Sequence, residues 1–406
     1  MCTCSYSRFE NVQDMNSSGN LSWDVFCRVV DNYGDAAVSW RLARQLAVEY
    51  GFNVRLWVDS LRTLHALRPE VDSSANLQIV DGVRIQHWQT DADFQLDDGM
   101  EVADIAVDAF GGGLPPGYVA AMARRQPAPL WIILEYLSAE SWVSSHHGLA
   151  SPHPSLPIQR YFFFPGYGSS AGGLLCEAGL ATRRDVFQRD AGLRSQFWRD
   201  IGFELPLPDA TVISLFGYES VAVAKFLGIW SHGGGHIVVA VPESRLRPQV
   251  LAFLGEKSAC NGDTFRRGNL DVRFVPFLSQ DRYDHLLWAC DWNFVRGEDS
   301  FVRAQWAARP LVWHIYPQEG HAHWPKLDAF LDRYCSGLDS AVIRAFHAIW
   351  HAWNGSQDMS LAVADWDFLQ KNQQVLRTHA LNWARITAAP GDLTANLVQF
   401  CKSKVK

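Results

Sequence analysis

The chain has 406 residues with 36 Lys or Arg against 43 Asp or Glu, a formal net charge of −7. Hydrophobic residues make up 48% and charged residues 19%, which excludes a disordered chain and leaves enough apolar side chains for two packed domains. The mild acidity, with no basic run longer than a pair of arginines, argues against a nucleic-acid partner, and no apolar run approaches the roughly 18–20 residues of a membrane helix.

The opening MCTCSYSRFENVQDMNSSGN carries neither an apolar signal core nor an Arg-rich amphipathic pattern, so a cytoplasmic protein is expected, with residues 1–21 as a flexible tail. Eight cysteines spread over a long chain suit reduced thiols, and the Cys2-x-Cys4 pair lacks the further ligands a zinc or copper ion needs. The 17 Trp, 23 Phe and 11 Tyr are mostly core, with an excess available for stacking on bases or sugar rings.

From Trp23 the period is that of a strand, WDVFCRVV, ending in the turn residues of Asp31-Asn32-Tyr33-Gly34. From Asp35 apolar residues recur four apart (Val38, Leu42, Leu46, Tyr50), which predicts a helix capped by Gly51. Val54–Val58 returns to the strand period, completing a βαβ unit with its parallel pairing and right-handed crossover. Further strands are expected at Ile105–Phe110, before the turn Gly111-Gly112-Gly113, and at Pro129–Leu134. Residues 144–180, rich in Pro and Gly, read as loop, and Leu205-Pro206-Leu207-Pro208 as a connection between domains. A second alternating series follows: strands at Ala210–Phe216, His236–Val241, Val272–Val275, Trp292–Val295 and Pro310–Ile315, with helices at Glu219–Trp230, Ser279–Ala289 and Ser300–Ala307. Residues 338–406 read as helical. Two successive α/β units place a ligand at the carboxyl ends of their strands, in the cleft between them.

Neither a P-loop nor a G-x-G-x-x-G fingerprint is present, and no G-x-S-x-G elbow. Two segments carry chemistry. In Asp31-Asn32-Tyr33-Gly34-Asp35, carboxylates at a strand end and a helix start form a clamp for a cation and a source of a general base; Asp35 as an ordinary N-cap is the competing reading. In Arg296-Gly297-Glu298-Asp299-Ser300, a strand ends and a helix begins, so free backbone N–H groups, a permissive glycine and an arginine make an anion site; the bland alternative is an acidic helix start. Phe277, Gln280 and Tyr283 offer a stacking face and a polar edge for a base, or are simply core. His347 and His351 stand four apart on a predicted helix but lack the acid of H-E-x-x-H, so no zinc site is expected, and His321-Ala-His323 is likewise unsupported.

The stretches FCRVVDNYGDAAVSWRLARQLAVEYGFNVRLWVDSL and FVPFLSQDRYDHLLWACDWNFVRGEDSFVRAQWA, with LEYLSAESWV, FFFPGY and SLFGYE, resemble the bacterial elongation factor P arginine rhamnosyltransferases, the EarP family. The resemblance implies an α/β fold of GT-B architecture, two Rossmann-like lobes facing a cleft. The expected division is an acceptor-binding lobe at 22–184, a linker at 185–207, a nucleotide-sugar lobe at 208–375, and a final helix at 376–406 completing the first lobe. It implies inverting transfer of L-rhamnose from dTDP-β-L-rhamnose to an arginine in the KOW-like domain of elongation factor P, with no metal and no other cofactor. By motif, Asp35 and Asp31 are the catalytic candidates, and Asn32, Tyr33 and Gly34 line the acceptor side. Phe216, Tyr218, Phe277, Gln280, Tyr283, Arg296, Gly297, Glu298, Asp299, Ser300 and Tyr316 hold the donor. A glycosyltransferase with another acceptor, and a non-catalytic nucleotide-sugar-binding partner of translation, are the alternatives.

Overall fold

A computed structural model describes residues 21–30, 33–88, 91, 94, 96, 101–220, 222–318, 320, 322–355 and 362–405. The expected tail up to residue 20 and two expected site residues, Asp31 and Asn32, lie outside these. The first half runs β1 (Ser22–Cys27), α1 (Gly34–Tyr50), β2 (Asn53–Val58), α2 (Leu61–Leu67), β3 (Leu77–Val80), β4 (Val83–His87), β5 (Ile105–Ala109), α3 (Pro116–Arg124), β6 (Leu130–Leu134), α4 (Val143–His146), β7 (Ala150–Pro152) and β8 (Gln159–Phe163). Then come α5 (Leu180–Arg189), α6 (Ala191–Asp200), β9 (Thr211–Leu215), α7 (Ala222–His232), β10 (Ile237–Val241), α8 (Arg247–Leu254), β11 (Thr264–Arg267), β12 (Leu270–Phe274), α9 (Gln280–Ala289), β13 (Trp292–Arg296), α10 (Asp299–Trp306) and β14 (Leu311–His314). The chain ends with α11 (His323–Tyr334), α12 (Ser340–Trp353), α13 (Ala362–Lys371), α14 (Gln373–Ala388) and α15 (Leu393–Lys404).

Among the described residues these strands form two sheets, ordered β3-β4-β2-β1-β5-β6-β8-β7 and β11-β12-β10-β9-β13-β14. Pairing is parallel except at the edges, where β3/β4, β7/β8 and β11/β12 are antiparallel. The central strands are apolar along their length because helices cover both faces: every residue of β5 and of β10 is buried. In the first sheet the strand order reverses between β1 and β5, in the second between β9 and β13. At each reversal neighbouring loops leave in opposite directions and open a crevice at the strands' carboxyl ends. The two crevices face one another. This is the GT-B arrangement of two Rossmann-like lobes.

Three stretches depart from expectation. Residues 144–180 contain the edge strand β7 and its neighbour β8; β8 (QRYFF) is mostly half-exposed and so shows no continuous apolar run to mark it. Residues 185–207, expected as the linker, are mostly α5 and α6, which bury Phe187, Phe197 and Trp198 in the second lobe's core; only 203–207 have no regular structure. The return to the first lobe comes late. Leu376, Trp383 and Ala384 of α14 still belong to the second core, whereas Leu393, Leu397, Val398 and Cys401 of α15 pack with α1 and β1 in the first.

The lobes are joined by a buried ionic network. From α1, Arg41 Nε lies 2.8 Å from Asp299 of α10, and its two terminal nitrogens reach Glu177 at 3.0 Å and Asp284 of α9 at 3.3 Å. Arg303 of α10 forks onto both Asp284 oxygens at 2.9 and 2.6 Å and reaches Glu177 at 2.6 Å. Burial alone would raise the Glu177 carboxyl, but Arg303 and Arg41 outweigh it and hold the group well below the usual range. Every nitrogen here is matched by a carboxylate, so removing one member strands charge in the interior. Arg303→Met is therefore expected to lower the unfolding free energy by about 3–5 kcal/mol at neutral pH, read from urea denaturation. A depressed carboxylate stabilises above its unfolded pKa and loses that contribution as pH falls. The parent's stability should thus decline below about pH 4.3, and Arg303→Met should decline less.

Candidate functional site

The facing crevices enclose a cleft of about 650 Å³, open to solvent, lined by Tyr33, Gly34, Ala37 and Leu67 from the first lobe. Across it stand Phe216, Pro242, Glu243, Phe277, Leu278, Gln280, Tyr283 and the run Arg296–Ser300. The motif residues therefore converge, although they come from two segments about 260 positions apart.

On the first-lobe side, Asp35 is in the first turn of α1 and is not its cap; Tyr33 holds the cap position without a side-chain bond. The Asp35 carboxylate is 1% exposed and its Oδ2 accepts the Val30 N–H at 2.9 Å. It thus ties the strand end to the helix start. Three further acids stand at neighbouring strand ends. Asp59, after β2, accepts the Val29 N–H at 3.0 Å, and burial pushes its carboxyl up. Asp108 in β5 accepts the Gly113 N–H at 3.0 Å; burial, with Glu135 adding to it, lifts this group to about 6. Glu135, directly after β6, is also raised by burial. Sequence inspection passed over these three. The available signal was an acid at or just beyond the end of an apolar strand, in VDS, VDAF and LEY.

The second-lobe side sets Arg296 among aromatic rings. Adjacent strands β9 and β13 bring their end loops together, so the Arg296 guanidinium lies 4.8 Å from the Phe216 ring centre and 4.6 Å from that of Tyr218. Gly217 between them approaches His314 so closely that a Cβ there would lie 3.0 Å from His314 Nδ1. Gly297 adopts φ +62°, the left-handed region glycine tolerates, and its carbonyl accepts the Trp313 indole N–H at 2.9 Å. The Ser300 hydroxyl donates to the Arg296 carbonyl, closing the turn at the start of α10. Tyr316 is 57% exposed and stands edge-on to Tyr218 at 5.4 Å.

Several predicted donor residues reach the cleft with their polar groups already engaged. Glu298 accepts the Leu137 N–H at 3.0 Å and Lys326 Nζ at 3.3 Å. Burial raises its carboxyl against Lys326, and Asp35 adds to the rise, so the two acids feel one another across the cleft. The Asp299 carboxylate is taken by Arg41. Gln280 donates its amide N–H to the Ala37 carbonyl of α1 at 3.0 Å, bridging the lobes. Phe277 packs on Tyr33 at 5.0 Å, and Tyr283 edge-on to Phe216 at 5.7 Å. The Tyr283 hydroxyl is buried without a hydrogen-bond partner among the described residues. Lys326 and His314 were not anticipated; neither lies in a recognisable local pattern.

His314 accepts the Tyr218 N–H at 3.2 Å through Nδ1, and burial with Arg296 nearby lowers the imidazole to about 3. A neutral ring keeps Nδ1 an acceptor and so holds the donor-side loop. NMR of ring ¹⁵N-labelled protein should show His314 neutral at pH 5. Because the folded group resists protonation that the unfolded one accepts, His314 costs stability as pH falls below about 6.5.

The chain matches the family model described as elongation factor P (EF-P) rhamnosyltransferase EarP over residues 23–402. It is 44% identical over 384 residues to the protein-arginine rhamnosyltransferase of Pseudomonas putida, covering 95% of this chain and 99% of that protein. To the enzyme of the same name from Pseudomonas aeruginosa it is 42% identical, covering 93% and 98%. A solved structure described as the structural basis for EarP-mediated arginine glycosylation of translation elongation factor EF-P superposes with a TM-score of 0.67 at 34% identity, covering 94% of this chain and 99% of that one. Matched almost from end to end, and with the two-lobed cleft in place, this chain belongs to the EarP family of elongation factor P rhamnosyltransferases.

Proposed function

We propose that the protein transfers L-rhamnose from dTDP-β-L-rhamnose to an arginine side chain of elongation factor P, with inversion at the sugar carbon. The observation that supports this reading is the cleft in which Tyr33 and Gly34, next to the buried Asp35, stand across from the Arg296–Ser300 turn of the second lobe. In this reading the first lobe binds the acceptor and the second lobe, with α5, α6 and α14 packed on its core, binds the donor.

The acids suit the acceptor. A guanidinium arrives protonated and delocalised, with N–H donors in a planar fork, so a carboxylate must hold it and a base must take a proton as nitrogen attacks. Asp35 is assigned the base role. The guanidinium reaches it by replacing the Val30 N–H on Oδ2, one donor exchanged for another. Asp31, by its place in the motif, is assigned to orienting the group, and Asn32, Tyr33 and Gly34 to the acceptor side. Asp59, Asp108 and Glu135 make the surroundings acidic, which favours a basic acceptor.

The donor takes the other wall. With Glu298 and Asp299 occupied elsewhere, the diphosphate is met by backbone N–H groups at the start of α10 and by Arg296 held between Phe216 and Tyr218. Tyr316 stands beside it. Phe277 supplies a stacking face for thymine, and the unpartnered Tyr283 hydroxyl and Gln280 supply polar contacts. As the leaving diphosphate gains charge, the arginine and helix amides stabilise it, and no metal is required by this scheme. A single displacement from the β donor gives an α-linked product.

Intact-mass measurement of elongation factor P after incubation with dTDP-rhamnose tests the activity directly, and a gain of one deoxyhexose on arginine is expected. Asp35→Asn should lose about 2–4 powers of ten in kcat while still binding dTDP in calorimetry. Near-parental turnover would return Asp35 to its role as a loop anchor. Arg296→Ala should raise the donor KM by roughly tenfold to a hundredfold, the scale of one charge-assisted contact, and an unchanged KM would remove Arg296 from the diphosphate site.

A further inference from the structure

Behind the cleft, α11 and α12 bring together side chains that the reaction does not use. His347 and His351 are one turn apart on α12, with ring centres 6.0 Å from each other. Asp328 and Asp332 are one turn apart on α11. His351 Nε2 lies 2.7 Å from Asp328 Oδ1, and His347 Nε2 lies 3.4 Å from Asp332 Oδ1. One ligand atom from each of Asp328, His347 and His351 falls within 4.8 Å of the other two. The sequence offered only the H-x-x-x-H half of this set; the carboxylates come from a different helix.

We propose that Asp328, His347 and His351 bind a divalent transition-metal cation, with zinc the best match, and that Asp332 or water completes the coordination. The donor chemistry argues for this class. Two neutral imidazoles and a carboxylate suit zinc, cobalt or nickel, whereas magnesium and calcium take oxygen ligands. Histidines at i and i+4 present their nitrogens from one helix face, and an acid from a facing helix supplies the third direction. Zinc bonds of about 2.0–2.2 Å place tetrahedral ligand atoms roughly 3.4 Å apart, so the observed set must close by little more than about an ångström. The side chains are free to do so: His347, His351 and Asp328 are 31%, 35% and 42% exposed. The Trp324 ring lies 5.1 Å from that of His351 and bounds the site on one side. A bound cation would cross-link α11 to α12. Lys326, which reaches Glu298 in the cleft, sits on α11 two positions before Asp328.

The competing account is a pair of ordinary His–Asp contacts between two helices, which needs no metal. The test is calorimetric titration of zinc chloride into the full-length, chelator-stripped protein, with cobalt(II) absorption as a second readout. One zinc per chain is expected, with a rise in the thermal midpoint that EDTA reverses, and cobalt bands without thiolate charge transfer. His347→Ala and Asp328→Asn should each weaken zinc by at least about tenfold while leaving the circular dichroism of the protein unchanged. A Cys2→Ser, Cys4→Ser variant should bind as the parent does. Absence of zinc binding, binding that survives both His347→Ala and Asp328→Asn, or binding lost with the two cysteines would each overturn the proposal.

Discussion

The contact on which most else depends is that of Arg41 with Asp299. Arg41 sits two turns along the helix whose first turn carries Asp35, and Asp299 is the first residue of the helix whose amides face the cleft. One buried guanidinium therefore sets how far the helix that carries Asp35 stands from α10. Coulomb attraction in a poorly solvated interior is strong and little screened, and an unpaired charge there is costly, so the geometry is held only while every partner is present. Arg303, Glu177 and Asp284 complete the set and recruit α9 and the segment before α5 to the same junction.

Around that junction the two walls of the cleft are built on opposite principles. The first lobe carries carboxylates at the ends of parallel strands, and burial raises Asp59, Asp108 and Glu135. The second lobe gathers an arginine, two aromatic faces and a helix start, which favour a phosphate-bearing ligand. Such a cleft is suited to bringing a cation and an anion together. That polarity is the physical content of a protein-arginine glycosyl transfer, in which a basic nucleophile meets an acidic leaving group.

Lobe contact also redirects residues whose motif positions suggest ligand work. Gln280, Glu298 and Asp299 all lie on the cleft wall, yet each has a polar partner on the first lobe or on α11. Their places in the motifs are thus explained as much by joining the lobes as by holding a donor. The Tyr283 hydroxyl, buried and unpartnered, is the exception, and it points to a contact that a ligand would complete.

Much was legible in the residues alone, because it depends on patterns a few positions long. The four-residue period from Val38 to Tyr50, the left-handed cap at Gly51 and the apolar strands from Thr211 to His314 are local, and they specify two α/β lobes. The convergence of Tyr33–Asp35 with Arg296–Ser300 was also foreseeable, since parallel strands put their carboxyl ends on one side. What tertiary structure decided is which atoms partner which. Arg41 and Asp299 are 258 positions apart, and no spacing rule links them. Asp35 looked like a helix cap because its own neighbourhood allows that, but the Val30 amide turned out to be its partner. The strand at Gln159–Phe163, next to the sheet's edge, is half-exposed and so lacks an apolar run. His347 and His351 acquired acids only when α11 packed against α12. Period and capping are properties of a segment; the partner of a buried charge is a property of the fold.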